Sequence, residues 1–417
     1  MAEEKLLLLK NIRKSGYKGT LADYRKTGGF TALDKALKQM KPEAVQAVVK
    51  DSGLRGRGGA GFPTGVKWGF MPKDTGKPSY LVCNADEAEP GTFKDHLLIN
   101  EDVHMFLEGM IVSCYAVDCH HGYIYIRGES MKSAKHLQQA IDELYKEGLL
   151  GKNILGTGYD LDMTVHRGAG AYICGEETAL LESLEGKRGQ PRVKPPFPAV
   201  AGYNGCPTSV NNVETLATVP WIVNEGAEAY KALGTPNNAG THLVSISGHV
   251  KQPGVYEVEL GVSLRSLIYD YAGGIRGDKQ LKAVVPGGAS SPVLTADEID
   301  VPYDFDSLVK AGTMMGSAAP MVYDEDTDIV ELAYRTTRFF DHESCGQCTP
   351  CREGNFWLKN LIRDFLDDGG DESKMSRVKR VAGGMIGTTL CPFGDAAGMP
   401  TVAFVQKFPE EFRKHFP

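Results

Sequence analysis

The chain has 417 residues, 42% of them hydrophobic and 24% charged, with a formal net charge of −7. That length suits about two to four domains and a substantial core, and the acidic balance argues against nucleic acid as the main partner. Leu6–Leu9, flanked by Lys5 and Lys10, is too short for a secretory signal, and the longest apolar run, near Met105–Val117, contains Glu108 and is too short to span a bilayer; the expectation is an intracellular chain with no direct membrane insertion.

Residues 1–50 read as a polar lead-in followed by helices, with Pro42 at a helix start and Ala44, Val45, Ala47 and Val48 at helical spacing. Gly53–Gly65 is rich in glycine. Such a loop can aim several N–H groups at a phosphate, and Arg55 and Arg57 add charge. Gly56, Gly58 and Gly61 fit Gly-x-Gly-x-x-Gly. The Rossmann form of that motif needs a strand before it and a helix after it. Here Pro42–Lys50 reads as a helix, and Pro63 and Gly65 interrupt any helix on the far side. The expectation is a nucleotide-binding loop of a non-standard kind.

Tyr80–Cys83 reads as a short strand ending in Asn84-Ala-Asp86-Glu87-Ala-Glu89-Pro90-Gly91. Open α/β sheets bind ligands at the carboxyl ends of their strands; the plainer alternative is an acidic surface turn. His104–Cys119 reads as a helix, Gly122–Arg127 as a strand, Lys132–Glu147 as an amphipathic helix and Leu161–His166 as a strand. This alternation predicts a largely parallel sheet. Arg167–Gly175 is a second glycine-rich turn, leading into a helix at Glu176–Leu184. That order places a phosphate or a flavin edge on a helix N-terminus, although Glu176 and Glu177 also suit the helix dipole on structural grounds alone. Arg188–Pro198, centred on Lys194-Pro-Pro-Phe-Pro198, is an extended ordered loop or a stiff linker. Val210–Leu216 opens another helix, with Asn211 or Asn212 as an N-cap or as an amide partner for a flavin.

Beyond His242 the texture changes. His242–Gly248 and Gly254–Glu259 read as a hairpin, Leu264–Ala272 as a short helix, and Val284-Val285 and Met321–Tyr323 as further strands. This is a compact β-rich module with no catalytic constellation. Asp328–Phe340, Phe356–Leu366, Lys374–Val381 and Pro400–Phe412 read as a small helical domain.

Cys345, Cys348 and Cys351 form C-x2-C-x2-C, and Cys391 comes 40 residues after Cys351. Three thiolates on one tight turn plus a distant fourth suit the corners of a cubane. Zinc, which favours two separated pairs, is the alternative. The remaining five of the nine cysteines read as small buried hydrophobes. An iron–sulfur cluster beside a nucleotide loop suggests an electron-transfer flavoenzyme, because a flavin converts a hydride pair into single electrons.

Taken together, Gly56–Gly65, Val66-Lys67-Trp68, Asn84–Gly91, Gly170–Leu180, Lys194–Pro198, Val210–Thr215 and the cysteine set closely resemble the NADH-oxidising flavoprotein subunits of respiratory complex I, over nearly the whole chain. The resemblance implies an α/β flavin domain with a largely parallel, non-standard Rossmann-like sheet over 1–240. It implies a ubiquitin-like β-grasp (SLBB) domain over 241–325 and a helical bundle with one [4Fe–4S] cluster over 326–417. By motif match Gly56, Gly58, Gly59, Lys67, Asn84, Asp86, Glu87, Gly175, Glu176, Asn211, Asn212 and Thr215 would line FMN. Phe62, Phe70 and Phe197 would hold the adenine of NAD(H), with polar contacts from Glu89, Tyr172, Glu177 and Lys194. Glu87 and Lys67 are the candidate catalytic groups, Lys67 by stabilising the anionic reduced flavin. Carboxylates Glu89 and Glu177 near the ribose would favour NADH over NADPH.

The implied activity is NADH:quinone oxidoreduction: hydride to FMN, then single electrons to the cluster and onward to partner clusters. The implied partners are a thioredoxin-like [2Fe–2S] subunit and a larger iron–sulfur subunit. They would hold the chain on the cytoplasmic face of the inner membrane. A diaphorase subunit of an NAD-linked hydrogenase or formate dehydrogenase shares the chemistry with other partners. A non-enzymatic zinc module acting as an adaptor is a third reading.

Overall fold

The computed structural model describes residues 3–417. Strands β1 (Tyr80–Ala85), β2 (His121–Ile126), β3 (Asp162–Arg167) and β4 (Thr208–Asn212) form one sheet in the order β3-β2-β1-β4. All three pairings are parallel, with Tyr80 opposite both His121 and Thr208. Parallel neighbours need crossover connections; helices Val103–Ala116 and Met131–Lys146 supply two of them. Leu81, Val82 and Cys83 in β1 are all buried, as a strand covered on both faces should be. The expected largely parallel sheet is present.

The helix Val103–Ala116 is buried along nearly its whole length, Glu108 included. Glu108 is an anchor for the lead-in: it accepts from the backbone N–H of Phe30 and of Leu33, both at 2.9 Å, and from the Tyr24 hydroxyl. A buried carboxylate with three donors is satisfied rather than orphaned.

A two-residue hairpin, β5 (Gly234–Thr235) with β6 (Asn238–Ala239), precedes a second sheet. That sheet contains β7 (Thr241–Gly248), β8 (Gly254–Glu259), β9 (Leu281–Val285), β10 (Leu294–Thr295) and β11 (Met321–Asp324), in the order β10-β9-β11-β7-β8. β11 runs parallel to β7 and the other neighbours are antiparallel. The helices Ile329–Glu343, Thr349–Asp367, Glu372–Met385, Phe393–Lys407 and Pro409–Arg413 complete the chain. One apolar core runs from Val82 and Val210 of the first sheet through Val285 of the second to Phe340, Leu358 and Phe404 of the helical region.

Several expected bounds are corrected. Val210 does not open a helix; it belongs to β4, because its backbone pairs with Val82 of β1, and the helix starts at Val213. Pro400 does not start the last long helix but lies inside Phe393–Lys407. That helix begins directly after Cys391-Pro392, so the fourth cysteine is tied to a helix start. The helix expected to end at Cys119 ends at Ala116. The loop Gly53–Gly65 does lead into a short helix, Thr64–Gly69. There a side chain at Gly65 would place its Cβ 2.4 Å from the Lys50 Cα, so this glycine permits helix-on-helix contact rather than interrupting it.

Candidate functional site

The glycine loop is held from below by Thr215, whose hydroxyl accepts from the Arg57 N–H at 2.8 Å, and is closed on itself by Gly56 N–H to Phe62 O at 2.8 Å. Gly58 lies against Asn212: a Cβ on it would stand 3.1 Å from the Asn212 Cβ. Gly61 has φ +62° and faces the Phe305 ring, so both conformation and space require glycine. The two arginines also hold the loop in place. Arg55 donates to Gly61 O, Asn238 Oδ1 and Asp306 Oδ1 at 2.7–2.9 Å. Arg57 is buried and donates to the Tyr230 hydroxyl and to the carbonyls of Ala239 and Thr241 at 2.9–3.0 Å. Both brace the loop against the β-grasp region, a role invisible in sequence because its partners lie some 170–250 residues away.

At the carboxyl edge of the first sheet, Asn84 donates from Nδ2 to Gly175 O at 2.8 Å and accepts the Asp86 N–H at 3.1 Å. This joins the acidic loop to the second glycine turn. Gly175 in turn lies against Asp86: its Cβ position is 3.8 Å from Asp86 Oδ2. Asp86 is 7% exposed, and its Oδ2 has no hydrogen-bond partner. Burial pushes its carboxyl up to about 7. An unpartnered buried oxygen beside the second glycine turn is a place where a ligand's donor fits.

Asn212 caps the helix Val213–Glu225, accepting from Glu214 N–H at 2.9 Å, and donates from Nδ2 to Asp95 at 2.5 Å. Asn211 accepts from the indole of the buried Trp68 at 3.2 Å and donates to Ser209 at 3.0 Å. Glu176 caps the helix Glu177–Leu184, accepting from the N–H groups of Thr178 and Ala179 at 2.8 and 3.0 Å. Lys194 reaches Glu176 at 2.9 Å and Glu177 at 3.2 Å, and Lys67 reaches Glu177 at 2.9 Å. Burial alone would raise Glu177; the two ammonium groups outweigh it and hold its carboxyl below the ordinary range. Lys67, Glu177, Glu176 and Lys194 are therefore one ionic row along the wall.

Glu87 reaches the first turn of the helix Lys94–Glu101. It accepts from the N–H groups of Asp95 and His96 at 2.8 and 3.0 Å and meets His96 Nδ1 at 2.6 Å. Glu89 accepts from the Tyr172 hydroxyl at 2.6 Å and from the Ser290 N–H at 2.7 Å. Tyr172 packs edge-on against Phe339 at 5.1 Å and Phe393 at 5.7 Å. One pair thus touches the flavin-type sheet, the β-grasp region and the helical region together. Phe62 and Phe70 are exposed, with ring centres 6.0 Å apart. Phe197 is also exposed, at 57%, after two cis peptide bonds at Lys194–Pro195 and Pro195–Pro196. Exposed phenylalanines are available surface for a flat ligand.

None of the four clustered cysteines is in a disulfide. Cys345 comes just after the helix Ile329–Glu343, Cys348 sits at the start of Thr349–Asp367, and Cys351 is in its first turn. Cys351 is pushed up to about 11 by burial, with Cys348 and Cys345 facing it; Cys391 is pushed up to about 12 by burial, with Glu176, Cys345 and Cys351 facing it. Asn355 Nδ2 points at the Cys351 sulfur at 3.3 Å and Ser344 Oγ lies at 3.4 Å from it, both poised to hydrogen-bond a thiolate. Among the described residues no three His, Cys, Asp or Glu side chains gather tightly around a single-ion point. The thiols are neighbours, and Glu176 links their surroundings to the second glycine turn. His96, Ser130, Arg127 and Ser290 carry no local motif in the sequence and reach this site only through the fold.

Three family models match. The Nuo51 FMN-binding domain covers residues 49–221, the SLBB domain 242–330, and the NADH-ubiquinone oxidoreductase-F iron–sulfur binding region 331–415. The chain is 50% identical to the NADH-quinone oxidoreductase F 2 subunit of Rhizobium meliloti (strain 1021), over 95% of this chain and 94% of that protein. It is 50% identical to the NADH-quinone oxidoreductase F subunit of Streptomyces coelicolor, over 95% and 88%. A crystal structure of NAD+-reducing [NiFe]-hydrogenase in the air-oxidised state is similar at TM-score 0.85 and 34% identity, over 99% of this chain and 67% of that one.

Proposed function

The chain belongs to the family of NADH-quinone oxidoreductase F subunits, and from that premise we propose how its residues divide the work of complex I's electron input. The chain accepts hydride from NADH on FMN and delivers electrons one at a time to a [4Fe–4S] cluster. FMN, when bound, supplies the conversion from a two-electron to a one-electron carrier. The observation that carries the assignment of residues is the buried, unpartnered Asp86 Oδ2 where the acidic loop meets the second glycine turn.

Gly56, Gly58 and Gly59 with Asn212 and Thr215 would form one wall of the FMN pocket. Asn84, Asp86, Glu87, Gly175 and Glu176 would form the opposite wall, with Asn211 supporting from behind. Gly58 packed on Asn212 brings backbone N–H groups to the N-terminus of Val213–Glu225, which favours a phosphate. Lys67 would face the ring's negative charge. Phe62, Phe70 and Phe197 at the rim would hold the adenine of NADH, and Glu89, Tyr172, Glu177 and Lys194 would contact its polar parts. Cys345, Cys348, Cys351 and Cys391 would each bind one iron, and metal binding would remove the protons that burial keeps on the thiols. The division at about 240 and 325 separates these tasks along the chain.

The chain works with the other subunits of complex I. Among the described residues no helix is long and apolar enough to cross a membrane. We assign membrane attachment to partners, and the onward acceptors to a thioredoxin-like [2Fe–2S] subunit and a larger iron–sulfur subunit. The test is Cys348→Ala in the assembled complex. NADH–ferricyanide activity, drawn from the flavin, should survive while quinone reduction falls at least tenfold. Equal loss of both in a protein with full FMN would refute the division of roles.

A further inference from the structure

Ser130 stands at the N-cap of the 16-residue helix Met131–Lys146, yet its side chain makes no capping hydrogen bond. A serine at an N-cap ordinarily accepts a hydrogen bond from a backbone N–H there. Here its hydroxyl lies 2.8 Å from His96 Nε2, while His96 Nδ1 lies 2.6 Å from Glu87 Oε2. Glu87 has a side chain only 2% exposed, in the acidic loop beside the unpartnered Asp86 oxygen; His96 is 30% exposed. A continuous line of polar atoms therefore runs from the buried acidic loop to the surface at the start of a helix.

The chemistry of the site leaves a proton to remove. NADH delivers two electrons and one proton together as hydride. Both electrons leave singly towards the cluster, and one proton is left at the site. We propose that Glu87, His96 and Ser130 are the path by which that proton reaches solvent, an inference that rests on the flavin reading. The proton arrives on a Glu87 carboxylate oxygen. That O–H bond breaks as an N–H bond forms at His96 Nδ1; the imidazolium then loses its Nε2–H proton to solvent beside the Ser130 hydroxyl, and proton exchange with solvent returns the ring to its Nε2–H tautomer before the next turnover. Nothing is oxidised or reduced along the path, and one proton enters and leaves per NADH.

The surroundings suit the role. The hydrogen bond to the Glu87 carboxylate raises His96 above its ordinary value, and Asp95 pushes the same way, while burial and Arg127 oppose. Glu129 also faces it. A histidine hydrogen-bonded to a carboxylate on one nitrogen and to a hydroxyl on the other has the two-sided contact a proton carrier needs. Glu87 is held below the ordinary carboxylate range: burial raises it, and the His96 hydrogen bond and Lys94 outweigh that. It therefore passes a proton on rather than keeping it.

The experiment uses the assembled complex with its flavin. The pre-reduced protein is mixed with ferricyanide and a pH-indicator dye, and proton release is timed against flavin reoxidation. In the unaltered protein the two should keep pace. In His96→Gln proton release should slow at least tenfold, with NADH–ferricyanide turnover falling in parallel and recovering on addition of imidazole. Ser130→Ala, which leaves the Glu87–His96 pair in place, should show a smaller delay of the same kind. His96→Gln with full flavin and undelayed proton release overturns the proposal. If that variant loses flavin, undelayed release in Ser130→Ala overturns it instead. An unaltered complex whose flavin absorbance NADH does not bleach would overturn the flavin reading, and the path with it; normal bleaching with undelayed release in the variants refutes the path alone.

Discussion

Asp86 shows how much one side chain can reveal. Its sequence context, an acid among acids after a strand, fits a surface turn as well as a ligand site. The fold buries it, leaves Oδ2 without a donor and pushes its carboxyl up to about 7. A folded-state value above the unfolded one of about 3.9 means that the group's contribution to stability is full below about pH 4. It is lost as pH rises towards 7. In flavin-free protein, stability should therefore fall across that window by on the order of 2–4 kcal/mol on account of this residue. Asp86→Asn removes the drop, so the thermal midpoints of the two proteins should diverge between pH 5 and pH 8, with the variant the more stable at pH 8. Parallel midpoints at both pH values would count against a burial-raised Asp86. Glu87 carries a different lesson: two residues of the same charge side by side, one spent on a helix start and a histidine, the other left open. Burial and partners, which the sequence does not contain, separate them.

At the scale of elements, the lead-in and the β-grasp sheet are tied by one carboxylate. Glu257 in β8 accepts from the backbone N–H groups of Leu7, Leu8 and Leu9 at 2.9–3.0 Å and from the Thr241 hydroxyl at 2.7 Å. Three donors on an apolar segment that forms no strand or helix would otherwise be buried unpaired, at about 1–3 kcal/mol each. Glu257→Ala should destabilise the protein by about 3 kcal/mol in denaturant unfolding; a loss below about 1 kcal/mol would mean that the segment finds other acceptors. Most elements were legible because their signals are local: alternating apolar residues, Asn212 and Glu176 at helix starts, proline at Pro42. The misplacements share a cause. Val210 reads as a helix opening because β4 is specified by its pairing with β1, and Pro400 reads as a start although the helix tolerates it inside.

Across the whole molecule, a buried ionic network joins the regions. Glu214 is fully buried and meets Lys94 at 2.7 Å and the Leu243 N–H at 2.9 Å; Lys94 meets Asp95 at 2.9 Å, and Asp95 holds Asn212. His242 lies 3.1 Å from Glu214, but burial pushes it down to about 4. It is therefore neutral at pH 7 and meets Glu214 by a hydrogen bond rather than as a cation. Burial would raise Glu214, yet Lys94 and the hydrogen bond with His242 hold its carboxyl below the ordinary range. Breaking such a network by removing one charge strands the other, so Glu214→Gln should cost about 3–5 kcal/mol and weaken FMN retention through Asn212. Unchanged unfolding and unchanged flavin content would show the network to be dispensable.

The sequence by itself determined the class of chemistry. The C-x2-C-x2-C triplet with Cys391, the two glycine turns and the acidic loop are short-range patterns whose backbone and donor chemistry act wherever the chain places them. It also determined the order of the three regions and most helices and strands. The tertiary structure decided what those patterns do to one another. It set Arg55 and Arg57 to brace the loop, orphaned Asp86 Oδ2, ran Lys67, Glu177, Glu176 and Lys194 into one row, and brought His96 and Ser130 to Glu87. Each of these joins residues far apart in the chain. Burial and hydrogen-bond partners are set by packing, so no local pattern could have announced them.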